Sequence, residues 1–250
     1  MSKRMSATQV RPEFSIITVT LNSEKTLQRC INSLKAQNYK NFEYVIIDGV
    51  SQDSTLQIID DNQDIVDTLI SETDSGLYDA MNKGIAVARG RFVGIINSDD
   101  EYLPETLNLV KKHLESNPSE QVIYGDLFVG DGMHEKLSVP INEISTRMIP
   151  HPTVFVSLET YRKHGVFNTS YKVAADYELV LRLRNSRINF HRMNQPLARM
   201  HPGGYSAEHR FRSVIETMKL HVKFRENGLV LTLLREVRFF LASYLKHRNY

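Results

Sequence analysis

The 250-residue sequence contains a single cysteine, Cys30. An intrachain disulfide and a cysteine-ligated zinc cluster are therefore excluded, and a reducing compartment fits. No stretch approaches the ~20 apolar residues needed to span a bilayer. The N-terminal MSKRMSATQVRPEFS offers no hydrophobic core for a signal peptide. These absences predict a cytoplasmic protein, free or held peripherally at the inner face of the plasma membrane. Net charge is also scarce, at +2, but it is unevenly placed: residues 206–250 carry nine Lys/Arg against four Asp/Glu, which leaves residues 1–205 at −3. A nucleic-acid binder would line its main domain with basic residues, so nucleic acid is not an expected partner. Internal repeats and low-complexity linkers are absent as well.

What is present is an alternation of short apolar runs and helical patterns. FSIITVT (14–20), FEYVIID (42–48), VDTLIS (66–71) and RFVGIIN (91–97) read as buried strands. Between them, Leu27, Ile31 and Leu34 predict a helix capped by Asn22 or Ser23, and a second helix is expected near 54–61. Leu77, Met81, Ile85 and Ala88 form one stripe of a helix from Leu77 to Arg89. Pro104 is placed as a first-turn residue of a helix carrying Leu107, Val110 and Leu114. Strand and helix in alternation imply an α/β fold, with a mostly parallel sheet flanked by helices. The expected division is a main domain over 1–205 and a basic, amphipathic helical extension over 206–250.

In such a sheet, ligands bind beyond the carboxyl ends of the strands. Asp48 ends one apolar run, and Asp99 and Asp100 end another, so all three are expected in that crevice. Adjacent carboxylates repel each other and lose hydration, and a cation or a ligand hydroxyl compensates both. The alternative is a solvated turn in which Asp99 caps the helix after Pro104.

Four segments tie these residues together: VIIDGVSQDST (45–55), SETDSGLYDAMNKGIAVARGRF (71–92), NSDD (97–100) and VAADYELVLRL (173–183). In this order and spacing they resemble family-2 glycosyltransferases of the Rossmann-like GT-A fold, from about Phe14 to Ser206. The bacterial branch that builds capsule, exopolysaccharide or O-antigen is the most similar. The resemblance implies an inverting, metal-dependent transfer from a nucleoside-diphosphate sugar, with UDP expected, onto a lipid-linked saccharide. It assigns Asp48 to the nucleotide base, with Thr18 and Thr20 beside it. Asp99 falls to the ribose or a metal-bound water, Asp100 to a Mn2+ or Mg2+ ion bridging the phosphates, and Asp176 to the catalytic base. Where many relatives have Glu-Asp, this chain has Ala175-Asp176, leaving one carboxylate for that role.

Other readings stay open beside these. Thr18 and Thr20 also suit ordinary strand positions. Asp79 and Lys83, four apart, make either a surface ion pair or contacts to the donor. Asp176 also suits the N-cap of a helix over 177–183. His201, followed by Gly203-Gly204, is a candidate third metal ligand, and His151 is expected at the acceptor side. In the extension, Phe211, Ile215, Met218 and Val222 share one face of a helix over 206–226. Val230, Leu233, Leu234, Val237, Phe240, Leu241, Tyr244 and Leu245 form a second stripe, with Arg235, Arg238, Lys246 and Arg248 elsewhere. That pattern fits a membrane surface, the catalytic domain or a second subunit in a homo-oligomer. The alternatives to transfer are a sugar nucleotidyltransferase, for which a glycine-rich basic loop is missing from SIITVTLNSEKTLQRC, and a catalytically silent carbohydrate-binding domain.

Overall fold

A computed structural model describes residues 11–119, 121–130, 136–201, 209–224 and 226. The second apolar stripe, 230–245, and Gly203-Gly204 lie outside these residues. The apolar runs form strands as expected: β1 (Phe14–Thr20), β2 (Phe42–Asp48), β3 (Thr68–Ser71) and β4 (Phe92–Ile95). They pair in parallel in the order β3-β2-β1-β4. The sheet then continues through β8 (Phe155–Ser157), β6 (Val122–Val129), β9 (Phe190–Met200) and β5 (Glu101–Tyr102), with β7 (Lys136–Leu137) also paired to β6. This half mixes directions, because β8 runs antiparallel to both β4 and β6 whereas β9 is parallel to β6.

Alternation along the strands feeds two layers of core. Phe14 and Ile16 of β1, with Tyr44 and Ile46 of β2, pack toward α1 (Leu27–Lys35), α2 (Thr55–Asp60) and α4 (Thr106–Ser116). Ile17, Val19, Val45 and Ile47 face the other side, against α3 (Leu77–Val87), α5 (Leu158–His164) and α6 (Ala175–Asn185). The predicted stripe of α3 is part of that core through Met81, Ile85 and Ala88. Gly84 sits on the same face where a Cβ would lie 2.5 Å from Cγ2 of Ile17, so its lack of a side chain sets how closely α3 approaches β1.

Three local expectations are corrected. Helix α1 begins at Leu27, not after Asn22 or Ser23, because residues 23–26 form a hydrogen-bonded turn in which Leu27 N–H donates to the Ser23 carbonyl. Pro104 precedes α4 instead of opening it, and the N-cap is Glu105, so Asp99 caps nothing there. Ala174, not Asp176, is the N-cap of α6, and Asp176 lies inside its first turn. The last helix described, α7 (Arg210–Lys223), buries Glu216, Leu220 and His221.

Candidate active site

The parallel register brings Thr20, Asp48 and Ser71 level at the carboxyl edge of the sheet. Asp48 is fully buried, and its carboxylate accepts N–H bonds from Val50 and Ser51 and hydroxyl bonds from Ser51 and Ser71. The acid thus closes its own turn, in which Val50 is held at φ 65°, a conformation costly for a β-branched residue. Asn22, also left-handed at φ 51°, laces the loop after β1 to this turn. Its N–H donates to Ser51 Oγ and its side chain accepts from Gln52 N–H.

Thr18 does not reach this edge. Its hydroxyl accepts from Tyr44 at 3.0 Å and lies 3.7 Å from Cys30 Sγ, all inside the core, so the strand reading holds for it. Thr20 differs: its Oγ1 is buried at the strand end without a hydrogen-bond partner. Asn97 Oδ1 and Asp100 Oδ1, in the turn that follows β4, are buried and unpartnered as well.

Asp100 is 2 % exposed. Burial pushes its carboxyl well above the usual range, the charge of Asp99 adds to this, and the His201 backbone N–H and Arg29 only partly oppose it. The chain turns at Asn97, whose carbonyl accepts Asp100 N–H, and then enters β5 against β9, which brings His201 beside the carboxylate pair. The His201 ring is turned to Glu101, with Nε2 2.6 Å from Oε1. Arg29 completes the cluster, its Nε 3.2 Å from Glu101 and its guanidinium donating to the Asp99 carbonyl.

Among the described residues no three His, Cys, Asp or Glu side chains converge as a metal cage. Magnesium and manganese need none where a diphosphate and waters complete the shell, so one or two carboxylates are enough. A buried Asp100 oxygen without a partner, next to a second carboxylate, suits such an ion. The His201 ring nitrogen Nε2 is engaged by Glu101 in this arrangement.

The SETDSG loop folds back on α3. Ser75 N–H donates to Asp79, holding that carboxyl below its ordinary range, and Gly76 N–H donates to Asp74. Gly76, at φ 126°, occupies a conformation reserved for glycine. Lys83 reaches Glu72 at 2.9 Å and the Thr73 carbonyl at 2.6 Å. Asp79 and Lys83 thus each bond to the loop before α3 instead of forming a direct ion pair with each other.

Asp176 is half-buried at the start of α6. Its Oδ1 accepts from the Tyr78 hydroxyl at 3.0 Å and from Tyr177 N–H at 2.8 Å, and among the described residues no such bond occupies Oδ2. Burial raises its pKa, outweighing the opposing pull of His151 and of these hydrogen bonds. His151 shares a cavity of about 20 Å³ with Asp176, room for one water molecule. Its Nε2 is buried without a partner, and burial lowers its pKa against the attraction of Asp176.

Two residues of the quoted motif have roles the sequence reading did not give them. Tyr78 also donates to the Val173 carbonyl at 2.8 Å, and Asn82 exchanges two hydrogen bonds with the Phe167 backbone. They are four apart on α3, and a polar pair at helical spacing beside a buried stripe was the available signal.

A family model described as Glycosyl transferase family 2 matches residues 15–163. The chain belongs to glycosyl transferase family 2. This glycosyltransferase is 31% identical over 177 residues to the PGL/p-HBAD biosynthesis glycosyltransferase of Mycobacterium bovis (strain BCG / Pasteur 1173P2), covering 68% of the chain and 69% of that protein. An uncharacterized glycosyltransferase of Haemophilus influenzae is 26% identical over 217 residues, 81% of this chain and 71% of that one. Among solved structures, S. aureus TarS superposes with a TM-score of 0.69 at 22% identity, covering 84% of this chain and 39% of TarS. The mannosyltransferase PcManGT from Pyrobaculum calidifontis, in complex with GDP-Man and Mn2+, gives 0.68 at 19% identity, covering 86% and 64%. At these identities the structural matches establish the GT-A fold.

Proposed function

We propose that this glycosyltransferase is inverting and metal-dependent, and that it moves a sugar from a nucleoside diphosphate, UDP foremost, onto a lipid-linked saccharide of the bacterial surface. The observation that carries this reading is the buried, unpartnered Asp100 oxygen in a turn that also leaves Asn97 Oδ1 unpartnered, with Thr20 Oγ1 unpartnered at the end of β1. Buried polar atoms without partners are costly, and a ligand that satisfies several at once is favoured in proportion. Asp48 supports the base-binding role by holding the turn after β2 in shape. Asp100 would hold Mn2+ or Mg2+, with Asp99 at the ribose or a metal-bound water. When bound, the ion neutralises negative charge on the departing diphosphate.

Asp176 acts as general base. Its Oδ1 is held by Tyr78 and Tyr177, so Oδ2 is the oxygen to take the acceptor hydroxyl proton as that hydroxyl attacks the anomeric carbon. Burial makes the carboxylate a stronger base than an exposed Asp. His151, on the same cavity, belongs to the acceptor side. A solved TarS fragment, in complex with UDP-GlcNAc, and PcManGT, with GDP-Man and Mn2+, share this fold and support a nucleotide-sugar donor. The mycobacterial relative, named for PGL/p-HBAD biosynthesis, supports a biosynthetic setting and does not single out capsule or O-antigen.

The membrane reading gains support from α7. Phe211 is 81% exposed and Val222 67%, and Ile215 shares their side, while the helix packs through its opposite face. Its one carboxylate, Glu216, is turned inward, and its basic residues are Arg210, Arg212, Lys219 and Lys223, of which Arg212 pairs with Glu216 and Lys223 with Glu178. Exposed apolar side chains on a helix that also carries basic residues match an anionic lipid surface. No helix among the described residues is long and apolar enough to cross a membrane.

The direct test is thermal stability with UDP- and GDP-sugars, each with and without Mn2+. A donor that binds only the folded state raises Tm. The proposal expects a shift that needs nucleotide sugar and metal together. A donor shift of equal size in the presence of chelator would overturn the metal-dependent reading, and no shift with any nucleotide sugar would overturn the donor class.

A further inference from the structure

We propose that Glu216, on α7, is a positioning residue for the transfer reaction: its carboxylate sets the 172–174 segment from which α6 presents Asp176. The inference rests on Asp176 being the base.

Glu216 is 6% exposed, and its carboxylate is spent almost wholly on that segment. Oε1 accepts Lys172 N–H at 3.0 Å, and Oε2 accepts Val173 N–H at 2.9 Å and Ala174 N–H at 3.1 Å. The N-cap of α6 is an alanine, which has no side-chain oxygen to offer the helix start. A carboxylate 42 residues downstream supplies an acceptor there instead, at the end of the helix where negative charge is favourable. Arg212, one turn earlier on α7, donates to Oε1 at 2.9 Å and fixes the side chain. Leu220, one turn later, is fully buried with Ala174, Tyr177 and Leu181.

The segment is gripped from its other side by the SETDSGLYDAMNKG motif. The Val173 carbonyl accepts from Tyr78, and Lys172 Nζ donates to the Ser75 carbonyl at 3.1 Å. Residues 172–174 are thus clamped between α7 and the loop and first turn of α3, and Asp176 follows two residues later. Burial alone would raise the Glu216 pKa, but the three N–H bonds and Arg212 outweigh it and keep the carboxyl below its usual range. Taking a charged group out of water is a poor source of net stability. What the arrangement does secure is the geometry of a short backbone segment beside the base, and a misplacement of about 1 Å there can cost roughly 100-fold in rate.

The test compares Glu216→Ala, Glu216→Gln and Asp176→Asn in the full chain. Glu216→Ala is expected to lower kcat roughly 10- to 100-fold while donor KM and metal-dependent donor binding stay unchanged. Glu216→Gln keeps one carbonyl acceptor and should fall between it and the wild type. Hydrogen–deuterium exchange should speed up at the amides of 172–174 in both. A lower Tm with unchanged kcat, or equal losses in kcat and donor affinity, would show a merely structural role and overturn the proposal. If the alanine variant does not fold, the glutamine variant decides between the same outcomes. An inactive Asp176→Asn beside a fully active Glu216→Gln overturns the positioning role alone, whereas a fully active Asp176→Asn removes the base and the proposal with it.

Discussion

The Tyr78 hydroxyl lies 3.0 Å from Asp176 Oδ1 and 2.8 Å from the Val173 carbonyl oxygen, joining two segments 98 residues apart at the proposed base. The contact stabilises the ionised carboxylate. With Asp176 as the proposed base, turnover needs it unprotonated, so activity is expected to fall as pH drops through its raised pKa. Tyr78→Phe removes a hydrogen bond that lowers that pKa, and the acidic limb of the kcat–pH profile should move to higher pH. Leaving a buried carbonyl unsatisfied should also cost about 1–3 kcal/mol. An unmoved limb would show that Tyr78 does not act on the base.

Asp100→Asn removes a buried carboxylate that burial and Asp99 both disfavour. The metal-free variant should melt higher than the wild type, since relieving a strained functional site commonly gains about 0.5–2 kcal/mol. Manganese-dependent stabilisation by nucleotide sugar should vanish in the same variant. Calorimetry that finds manganese-dependent donor affinity intact would remove Asp100 from the metal site.

Asp176→Asn preserves shape and an acceptor oxygen but cannot take a proton. Donor affinity should persist while kcat falls by roughly 10²- to 10⁴-fold. Near-normal turnover on an authentic acceptor excludes Asp176 as base.

Gly84→Ala sets two effects against each other. Alanine favours the helix by about 1 kcal/mol, but its Cβ would meet Ile17 Cγ2 at 2.5 Å in a packed core. Overpacking of this kind costs about 1–3 kcal/mol, so denaturant unfolding should show a net loss. A net gain would mean that α3 shifts away from β1 freely.

Phe211→Asp with Val222→Glu places two carboxylates on the outward side of α7. Flotation with anionic vesicles at low salt should be lost, with Tm unchanged because neither residue packs on the domain. Wild-type protein that ignores such vesicles refutes the lipid surface, and concentration-dependent dimers abolished by the same double variant would identify a second copy as the occupant.

Much of the parallel half was legible because β1, β2 and β4 are nearly unbroken apolar runs with chemistry at their ends. The antiparallel insertion of β8 was not, since three residues carry too little pattern to reveal a pairing partner. Asp100 and Asp176 stood out by residue type and motif. Thr18 misled because alternation along a buried strand does not say which face a threonine joins, and Tyr44 and Cys30 claimed its hydroxyl. For Asp79 and Lys83 the four-residue spacing leaves an ion pair and donor contacts equally open, and it does not reveal that the loop before α3 offers each a partner, Ser75 N–H for Asp79 and Glu72 for Lys83. Glu216 was invisible for another reason: backbone N–H groups are its partners, and every sequence has those.

Cys30 is sealed in the core, and burial pushes its thiol up to about 12, leaving almost no thiolate to react at neutral pH. The chain is thus a ready-made blank for site-specific labelling. A cysteine introduced at an exposed position such as Phe211 would be its sole accessible thiol. A single environment-sensitive fluorophore there would report arrival at a lipid surface in real time, with no native residue removed from the interior.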